Sequence, residues 1–276
     1  MSQTGASSRP LHFAKSGVVL SNISDTALLT YATLLAEDAG KVAMGYFRRT
    51  LGIEVKADLS PVTIADKAVE AFVRERLVRD FPEDGIFGEE EGASGLDRDR
   101  VWVLDPIDGT RSFLSGYPTF GFLLAILEHG KPKIGVIGIP AMNEVYTGLG
   151  TEARCNGKPI AVSQQTSLND AILYIHEAEH MRTDDEAVLE RLTKSGSTRR
   201  FAYDCYAHAL LAAGHIDAVV DYNLQPYDYL PLCALIEAAG GVITDWQGQP
   251  LTLESDGRVI SAATPELHAE LLEITR

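Results

Sequence analysis

The sequence predicts a mixed α/β (α+β) fold in which two lobes share one site. Stretches with helical spacing of apolar residues open the chain, apolar strand runs fill its middle, and helices and strands alternate in its second half. No repeat or flexible linker separates the halves of the 276 residues. Since helices and sheets each bury an apolar face, we expect stacked layers, with a loose tail over 1–24, one lobe over 25–150 and a second over 151–276.

Two amphipathic helices are predicted in the first lobe. The first begins near Asp25, and its apolar stripe comprises Leu28, Leu29, Ala32, Leu35, Ala39, Val42, Tyr46 and Phe47. The second begins near Asp66, which can cap a helix, and ends before Pro82. Its inward residues are Val69, Phe72, Val73 and Leu77.

Strands follow in "GIFGEE", "VWVLD", "FGFLLAILEHGKPKIGVIGIP" and "EVYTGLG". The third stretch contains two apolar runs around a Gly-containing turn, which predicts a hairpin, and we expect the strands of this region to be antiparallel. In the second lobe, helices are predicted in "DDEAVLERLTKSG", "CYAHALLAAG" and "YDYLPLCALIEAAGG" and from Pro265, and strands in "HIDAVVDY", "GVITDW" and "RVISAA".

The overall composition excludes several classes of protein. A net charge of -15 opposes binding to nucleic acid, because the protein would repel the phosphate backbone. No apolar run reaches the length of about 18 residues that a membrane span needs. The start of the chain has no signal-peptide pattern, and the three cysteines have no metal-ligand spacing, so we expect a reduced, cytoplasmic protein.

The stretch "DPIDGT" is the strongest indication of a functional site. Asp105 and Asp108 follow an apolar strand and lie on a turn that Pro106 keeps irregular, so their carboxylates can converge. Gly109 and Thr110 can then open a helix whose free amides face the same point. This arrangement suits a cation and a phosphate together.

Three other corners of the predicted fold also carry acids: Asp66, the pair Glu89 and Glu90, and Asp228. Taken singly, Asp66 and Asp228 are good helix caps, and "EEEG" is typical of a solvated turn. Together with "DPIDGT" they supply the several oxygen ligands that Mg2+ prefers alongside water and substrate phosphate.

These motifs resemble those of the inositol-monophosphatase superfamily of metal-dependent, lithium-sensitive phosphatases. The resemblance runs from about residue 25 to the end and implies an αβαβα layered sandwich, shared with fructose bisphosphatases, and a homodimer. Within the superfamily, "DPIDGTRSF" and the stretch from "DCYAHALLAAG" to "YDYLPL" are most similar to histidinol-phosphate phosphatases. Inositol phosphatases usually have Trp where Tyr227 stands.

The resemblance also implies roles for individual residues. Two or three Mg2+ ions would be held by Glu89, Asp105, the carbonyl of Ile107, Asp108 and Asp228. Glu90 and Thr110 would orient the attacking water, and Thr110 would in turn be oriented by Asp66. The amides of Gly109 and Thr110 would bind phosphate oxygens. No Cys, Ser or His is placed as an obvious covalent nucleophile, so water is expected to attack directly.

Substrate contacts are implied at Asp204 and Asp221, whose carboxylates would match the ammonium and imidazole of histidinol phosphate. A helix cap for Asp204 and a solvated strand end for Asp221 remain equally open. Arg111 is either a phosphate neighbour or an ordinary surface residue. His208 and His215 are expected to be structural or on the surface. Tyr203 stands where histidinol-phosphate enzymes carry a small residue, so its ring either stacks on the substrate or blocks it.

Three functions compete at this stage. The first is a Mg2+-dependent histidinol-phosphate phosphatase, and the second is a phosphatase for inositol or another sugar phosphate, which the same metal site would serve. The third is a silent metal-binding protein that kept the fold. Against the third, every acid and hydroxyl that the motifs require is present.

Overall fold

Two mixed β-sheets and the helices around them form the computed structural model, which describes residues 23–49, 53–55 and 61–276. The predicted tail lies outside the described residues up to position 22, as does the segment 56–60. Within the described part of the chain, no helix is both long and apolar enough to cross a membrane.

The helices are α1 (Asp25–Met44), α2 (Ile64–Asp80), α3 (Thr110–Ser115), α4 (Ala178–Asp184), α5 (Glu186–Thr193), α6 (Tyr206–Ala212), α7 (Pro226–Ala238) and α8 (Pro265–Thr275). The strands are β1 (Ile53–Val55), β2 (Pro61–Thr63), β3 (Gly85–Gly88), β4 (Gly92–Ser94), β5 (Arg100–Asp108), β6 (Gly121–Glu128), β7 (Lys131–Ile139), β8 (Glu144–Leu149), β9 (Glu152–Cys155), β10 (Lys158–Ile160), β11 (Ile172–His176), β12 (Thr198–Ala202), β13 (Ala218–Asp221), β14 (Val242–Asp245) and β15 (Val259–Ala262).

The larger sheet has eight strands in the order β10-β9-β8-β7-β6-β5-β3-β4, and the smaller has five in the order β12-β11-β13-β15-β14. In the larger sheet only β3 and β5 pair in parallel among the described strands. In the smaller sheet β11 is parallel to both β12 and β13, whereas β15 is antiparallel to its neighbours.

Strand β5 shows why the layers stack as they do. Val101 and Val103 pack into the core shared with α6 and α7, whereas Trp102 and Leu104 pack into the core shared with α1 and α2. Because side chains alternate across a strand, one strand supplies both cores. A third core lies between the smaller sheet and the helices α5 and α8. The predicted αβαβα sandwich is confirmed.

Helix α7 can approach the larger sheet closely because residue 135 is a glycine and has no side chain. A Cβ atom there would lie 2.2 Å from the carbonyl oxygen of Pro231. Glycine therefore lets the helix backbone rest on the sheet, and this fixes where the first turn of α7 points.

The predicted hairpin is confirmed as β6 and β7, which are joined by the turn at His129 and Gly130. The expectation of antiparallel pairing was wrong for the pair β3–β5, which is parallel, because the chain forms the short antiparallel hairpin β3–β4 and then returns to place β5 on the other side of β3. Helix α2 begins at Ile64, so Asp66 lies in its first turn and does not cap it. The division into two lobes stays a proposal, and β9 and β10 extend the larger sheet beyond residue 150.

The loop after β3 is anchored from below by Glu70 of α2, whose side chain is fully buried. Its two carboxylate oxygens accept hydrogen bonds from the backbone N–H groups of Glu90 (2.8 Å) and Glu91 (2.9 Å). Arg74, one turn later, donates to the same carboxylate over 2.8 Å and also to the carbonyl of Gly92. One buried ion pair thus fixes the backbone of the acidic loop.

We predict that Glu70→Gln lowers the free energy of unfolding by about 3 kcal/mol, because it removes the buried charge that pairs with Arg74 and leaves that guanidinium only the longer contact with the exposed Glu91. Urea denaturation followed by circular dichroism measures this change. The matched control is Glu190→Gln, which breaks an ion pair of the same helical spacing with Lys194, but with both side chains mostly exposed. The control should change the free energy of unfolding by less than about 0.5 kcal/mol. Equal effects of the two substitutions would contradict the anchoring role.

Candidate active site

The end of β5 departs from regular pairing where the first two acids lie. The register between β5 and β6 shifts between Asp105 and Asp108, at the position of Pro106, which has no N–H to donate. The N–H of Ile107 donates instead to Oδ1 of Asp105 over 2.9 Å. The resulting bulge lets both carboxylates turn toward one point, as the sequence predicted.

Gly109 connects this bulge to α3. Its φ of 79° lies in the left-handed region, and a Cβ atom would meet Oδ1 of Asp204 at 2.4 Å. Only glycine satisfies both restrictions. The helix then begins at Thr110, whose hydroxyl donates to the carbonyl of Ile107 over 3.2 Å.

Asp228 of α7 completes a cluster of three carboxylates. One oxygen each from Asp105, Asp108 and Asp228 lies within 4.8 Å of the others. Backbone N–H groups hold two of them in place: Cys205 donates to Asp108 over 2.5 Å, and Gln225 donates to Asp228 over 2.7 Å. Asp228 therefore does belong to the cap of its helix, and it faces the cluster as well.

Electrostatics make this cluster unfavourable without a counter-charge. Burial raises the pKa of Asp105 well above its usual range, and the charges of Glu89 and Asp228 raise it further. Burial likewise raises the pKa of Asp108, to about 7, and that of Asp228. A divalent cation offsets both the cost of burying these charges and the repulsion between them. Carboxylate oxygens are also the ligands that such a cation prefers. The donor set therefore fits a hard metal ion.

A polar cavity of about 490 Å3 opens above the cluster. Most of the predicted site residues line it, namely Glu89, Asp105, Ile107, Asp108, Gly109, Thr110, Arg111, Asp204 and Asp228. Tyr227 also lines it and rests edge-on against the ring of Phe87, with 5.7 Å between ring centroids. One opening thus gives access to the carboxylates and to the first residues of α3.

Three predicted residues lie outside the cavity lining: Asp66, Glu90 and Asp221. Asp66 is 1% exposed in the first turn of α2, and its charge contributes to the raised pKa of Asp105, so it lies close beneath the cluster. Glu90 lies on the loop that Glu70 anchors, and its side chain is partly buried.

Asp204 is buried, and its carboxylate accepts hydrogen bonds from the hydroxyls of Ser112 (2.9 Å to Oδ2) and Thr119. Its carboxylate is thus hydrogen-bonded to these two hydroxyls. The N-cap residue of α6 is Cys205 rather than Asp204. Burial raises the pKa of Asp204. A cationic group in the cavity would favour its ionised form.

Asp221 is placed differently from the expectation. It is 2% exposed, and its Oδ2 lies 2.7 Å from Nδ1 of His176 and 3.1 Å from Nε2 of His208. Burial alone would raise the pKa of Asp221, but the two imidazoles hold it below its usual range. The solvated strand end was wrong, because the carboxylate of Asp221 is buried against two histidines. A substrate contact at Asp221 stays a prediction, and this residue is not part of the polar cavity lining.

Sequence reasoning missed His176, and it left His208 open between a structural and a surface position. Both are 1% exposed, and Nδ1 of His208 lies 3.1 Å from the hydroxyl of Ser261. The apolar run "AILYIH" could have identified β11 and placed His176 at its end. Arg111 remains mostly exposed, with Nη1 4.0 Å from Glu177 and from Glu179.

Comparison with known proteins agrees with this geometry. The model of the inositol monophosphatase family matches residues 25–276. A chloroplastic bifunctional phosphatase of Arabidopsis thaliana is 38% identical, over 92% of this chain and 77% of its own length. A histidinol-phosphatase of Chlorobaculum parvum is 36% identical, over 84% and 90% of the two chains.

A solved inositol monophosphatase from Zymomonas mobilis superposes with a TM-score of 0.82 at 36% identity, covering 92% of this chain and 99% of the other. The chain therefore belongs to the inositol monophosphatase family, whose members are metal-dependent phosphatases.

Proposed function

We propose that the protein is a Mg2+-dependent phosphate monoester hydrolase whose preferred substrate is histidinol phosphate. The observation that supports the reaction is the convergence of Asp105, Asp108 and Asp228 within 4.8 Å beside the start of α3. The preference for histidinol phosphate is supported by the similarity to the Chlorobaculum parvum enzyme and by a buried carboxylate, Asp204, in the cavity wall.

In this proposal Glu89, Asp105, the carbonyl of Ile107, Asp108 and Asp228 hold two or three Mg2+ ions. Bound Mg2+ supplies the positive charge that an in-line displacement at phosphorus needs at its attacking and leaving oxygens. Gly109 and Thr110 line the same cavity and are the candidates for contact with the phosphate oxygens. Arg111, mostly exposed at the rim, is a candidate for the outer phosphate charge.

Thr110 is proposed to orient the attacking water. Its hydroxyl proton already points to the carbonyl of Ile107, so the oxygen lone pairs are left to accept a hydrogen bond from water. Asp66 and Glu90 are proposed to hold this arrangement, and one of these two carboxylates accepts the proton that the attacking water loses. The water oxygen forms the new P–O bond, the ester P–O bond breaks, and the leaving alkoxide takes a proton from solvent and departs as the alcohol. The protonated carboxylate then returns its proton to solvent, so one water is consumed.

Hydrolysis of inositol phosphate or another sugar phosphate is the second candidate. It is favoured by the structural match to the Zymomonas mobilis inositol monophosphatase. The carboxylate cluster would serve the phosphate end of any such ester in the same way. The two candidates differ in charge, since histidinol phosphate carries an ammonium and an imidazole and inositol carries neither.

We predict that phosphate release is fastest with histidinol phosphate in a panel that also contains myo-inositol 1-phosphate, fructose 1,6-bisphosphate and adenosine 3',5'-bisphosphate. A kcat/KM for histidinol phosphate at least about tenfold higher than for each of the other three esters would correspond to one charge-assisted contact. A higher kcat/KM for inositol phosphate would replace the first candidate with the second.

Asp105→Asn is expected to abolish nearly all turnover, because a neutral amide cannot balance a divalent cation in a buried site. Mg2+ should also raise the thermal midpoint of the wild-type protein, since a ligand at a hundredfold excess over its Kd stabilises by about 2.7 kcal/mol, and this shift should vanish in the variant. Asp99→Asn, at a side chain that is 93% exposed, is the control and should keep both properties. Full activity in excess chelator would exclude the metal mechanism.

Thr110→Val is expected to retain the Mg2+-dependent thermal shift and to lower kcat by about 10² to 10⁴, because only the hydroxyl that orients water is lost. Thr110→Ser keeps the hydroxyl and should restore most of the rate. Steady-state kinetics at saturating Mg2+ measure both. If kcat of the valine variant falls by less than about threefold, another group orients the water.

A further inference from the structure

A second cavity, of about 320 Å3, adjoins the polar cavity and has aromatic walls. The aromatic side chains that line it are Tyr117, Tyr174, Phe201, Tyr203 and Tyr206. We call it the aromatic cavity. Two residues, Tyr203 and Asp204, line both cavities, so the aromatic cavity opens beside the carboxylate cluster.

The walls of the aromatic cavity are held in place by contacts within the protein. Arg200 donates to the hydroxyl of Tyr117 over 3.1 Å, and its guanidinium lies 5.8 Å from the ring centroid of Tyr174. At the junction with the polar cavity, the hydroxyls of Ser112 and Thr119 fix the carboxylate of Asp204. These contacts hold the walls of the aromatic cavity in place, and the fixed carboxylate of Asp204 lies at its junction with the polar cavity.

Three rings at this cavity remain largely exposed. Tyr117 is 48%, Phe201 52% and Tyr203 41% exposed, although large apolar surfaces are normally buried. A flat ligand that covers such a ring gains apolar burial and stacking. If the ligand is also cationic, the ring face and the carboxylate of Asp204 both attract it.

A buried histidine lies next to the same wall. His176 is the last residue of β11, it pairs with Ala202 of the aromatic cavity, and it precedes Glu177 of the polar cavity. It lies on the same face of the sheet as Tyr174, two residues earlier. Nδ1 of His176 is bonded to Asp221, whereas Nε2 is buried and makes no hydrogen bond within the described residues.

This open nitrogen suits a donor on a ligand. Since Asp221 accepts from Nδ1, the neutral imidazole carries its proton there, and Nε2 has a free lone pair. A buried acceptor without a partner is unfavourable, and a ligand N–H that reached it would remove this cost.

We propose that the aromatic cavity is the subsite for the alcohol part of the phosphate ester and that it selects a planar nitrogen heterocycle that carries a cationic amine. The heterocycle stacks on Tyr203, the positive charge of the amine faces Asp204, and the phosphate lies at the carboxylate cluster. This assignment rests on the proposed function and explains selection against inositol, which has neither a flat π face nor a charge.

The test compares Tyr203→Ala with Tyr203→Phe on histidinol phosphate and on glycerol 2-phosphate, an uncharged-alcohol ester. The alanine variant should lose about tenfold in kcat/KM on histidinol phosphate and change less than about twofold on glycerol 2-phosphate. The phenylalanine variant keeps the ring and should restore the first value. A gain in activity on histidinol phosphate in Tyr203→Ala would show that the ring blocks the cavity, and equal losses on both esters would also overturn the proposal.

Calorimetric binding of histidinol, which has no phosphate, to the chelated full-length protein separates this proposal from the proposed function. Wild type should bind histidinol at least about fivefold more tightly than Tyr203→Ala does, whatever the turnover. Binding of histidinol no tighter than that of glycerol would overturn the subsite even if phosphate esters are hydrolysed. Specific histidinol binding without hydrolysis of any ester would instead reject the hydrolase and keep the subsite.

Discussion

Mutual repulsion of buried carboxylates is the constraint on which the site is built. Asp105, Asp108 and Asp228 would separate or take up protons if their backbones were free, since burial and their neighbours raise the pKa of each. Each comes from rigid backbone and is fixed by a hydrogen bond from an N–H group. The fold thus holds three like charges at a spacing that a metal ion can use.

Helix α2 supports this arrangement through two acids on one face. Asp66 and Glu70 are four residues apart and both are buried, so they lie one above the other on the inward side. Asp66 lies beneath the cluster, while Glu70 holds the loop that carries Glu89 and Glu90. Helix α2 therefore supports two separate parts of the site: the carboxylate cluster and the loop after β3.

Features encoded in local pattern could be predicted from the sequence. The β6–β7 hairpin, the long helices and the acids at the ends of elements follow from apolar spacing and from Gly and Pro positions. The network around Asp221 could not be predicted, because His176, His208 and Ser261 are far apart in sequence and meet only when β11, α6 and β15 pack together. The anchoring role of Glu70 could not be predicted either, because its partners Glu90 and Glu91 are distant in sequence and a glutamate on a charged helix is usually solvent-exposed.

The two sheets divide the chemistry of the site between them. The larger sheet and α7 supply the carboxylate cluster through the end of β5 and the first turn of α7. The smaller sheet supplies the walls of the aromatic cavity through β11 and its edge strand β12. An edge strand pairs on one side only, so substitutions at Phe201, or at Tyr203 directly after the strand, disturb fewer backbone contacts than changes at β5 would. Relatives that share the carboxylate cluster can therefore differ in the alcohol that they accept, and in this chain we propose that Tyr203 and Asp204 make that choice.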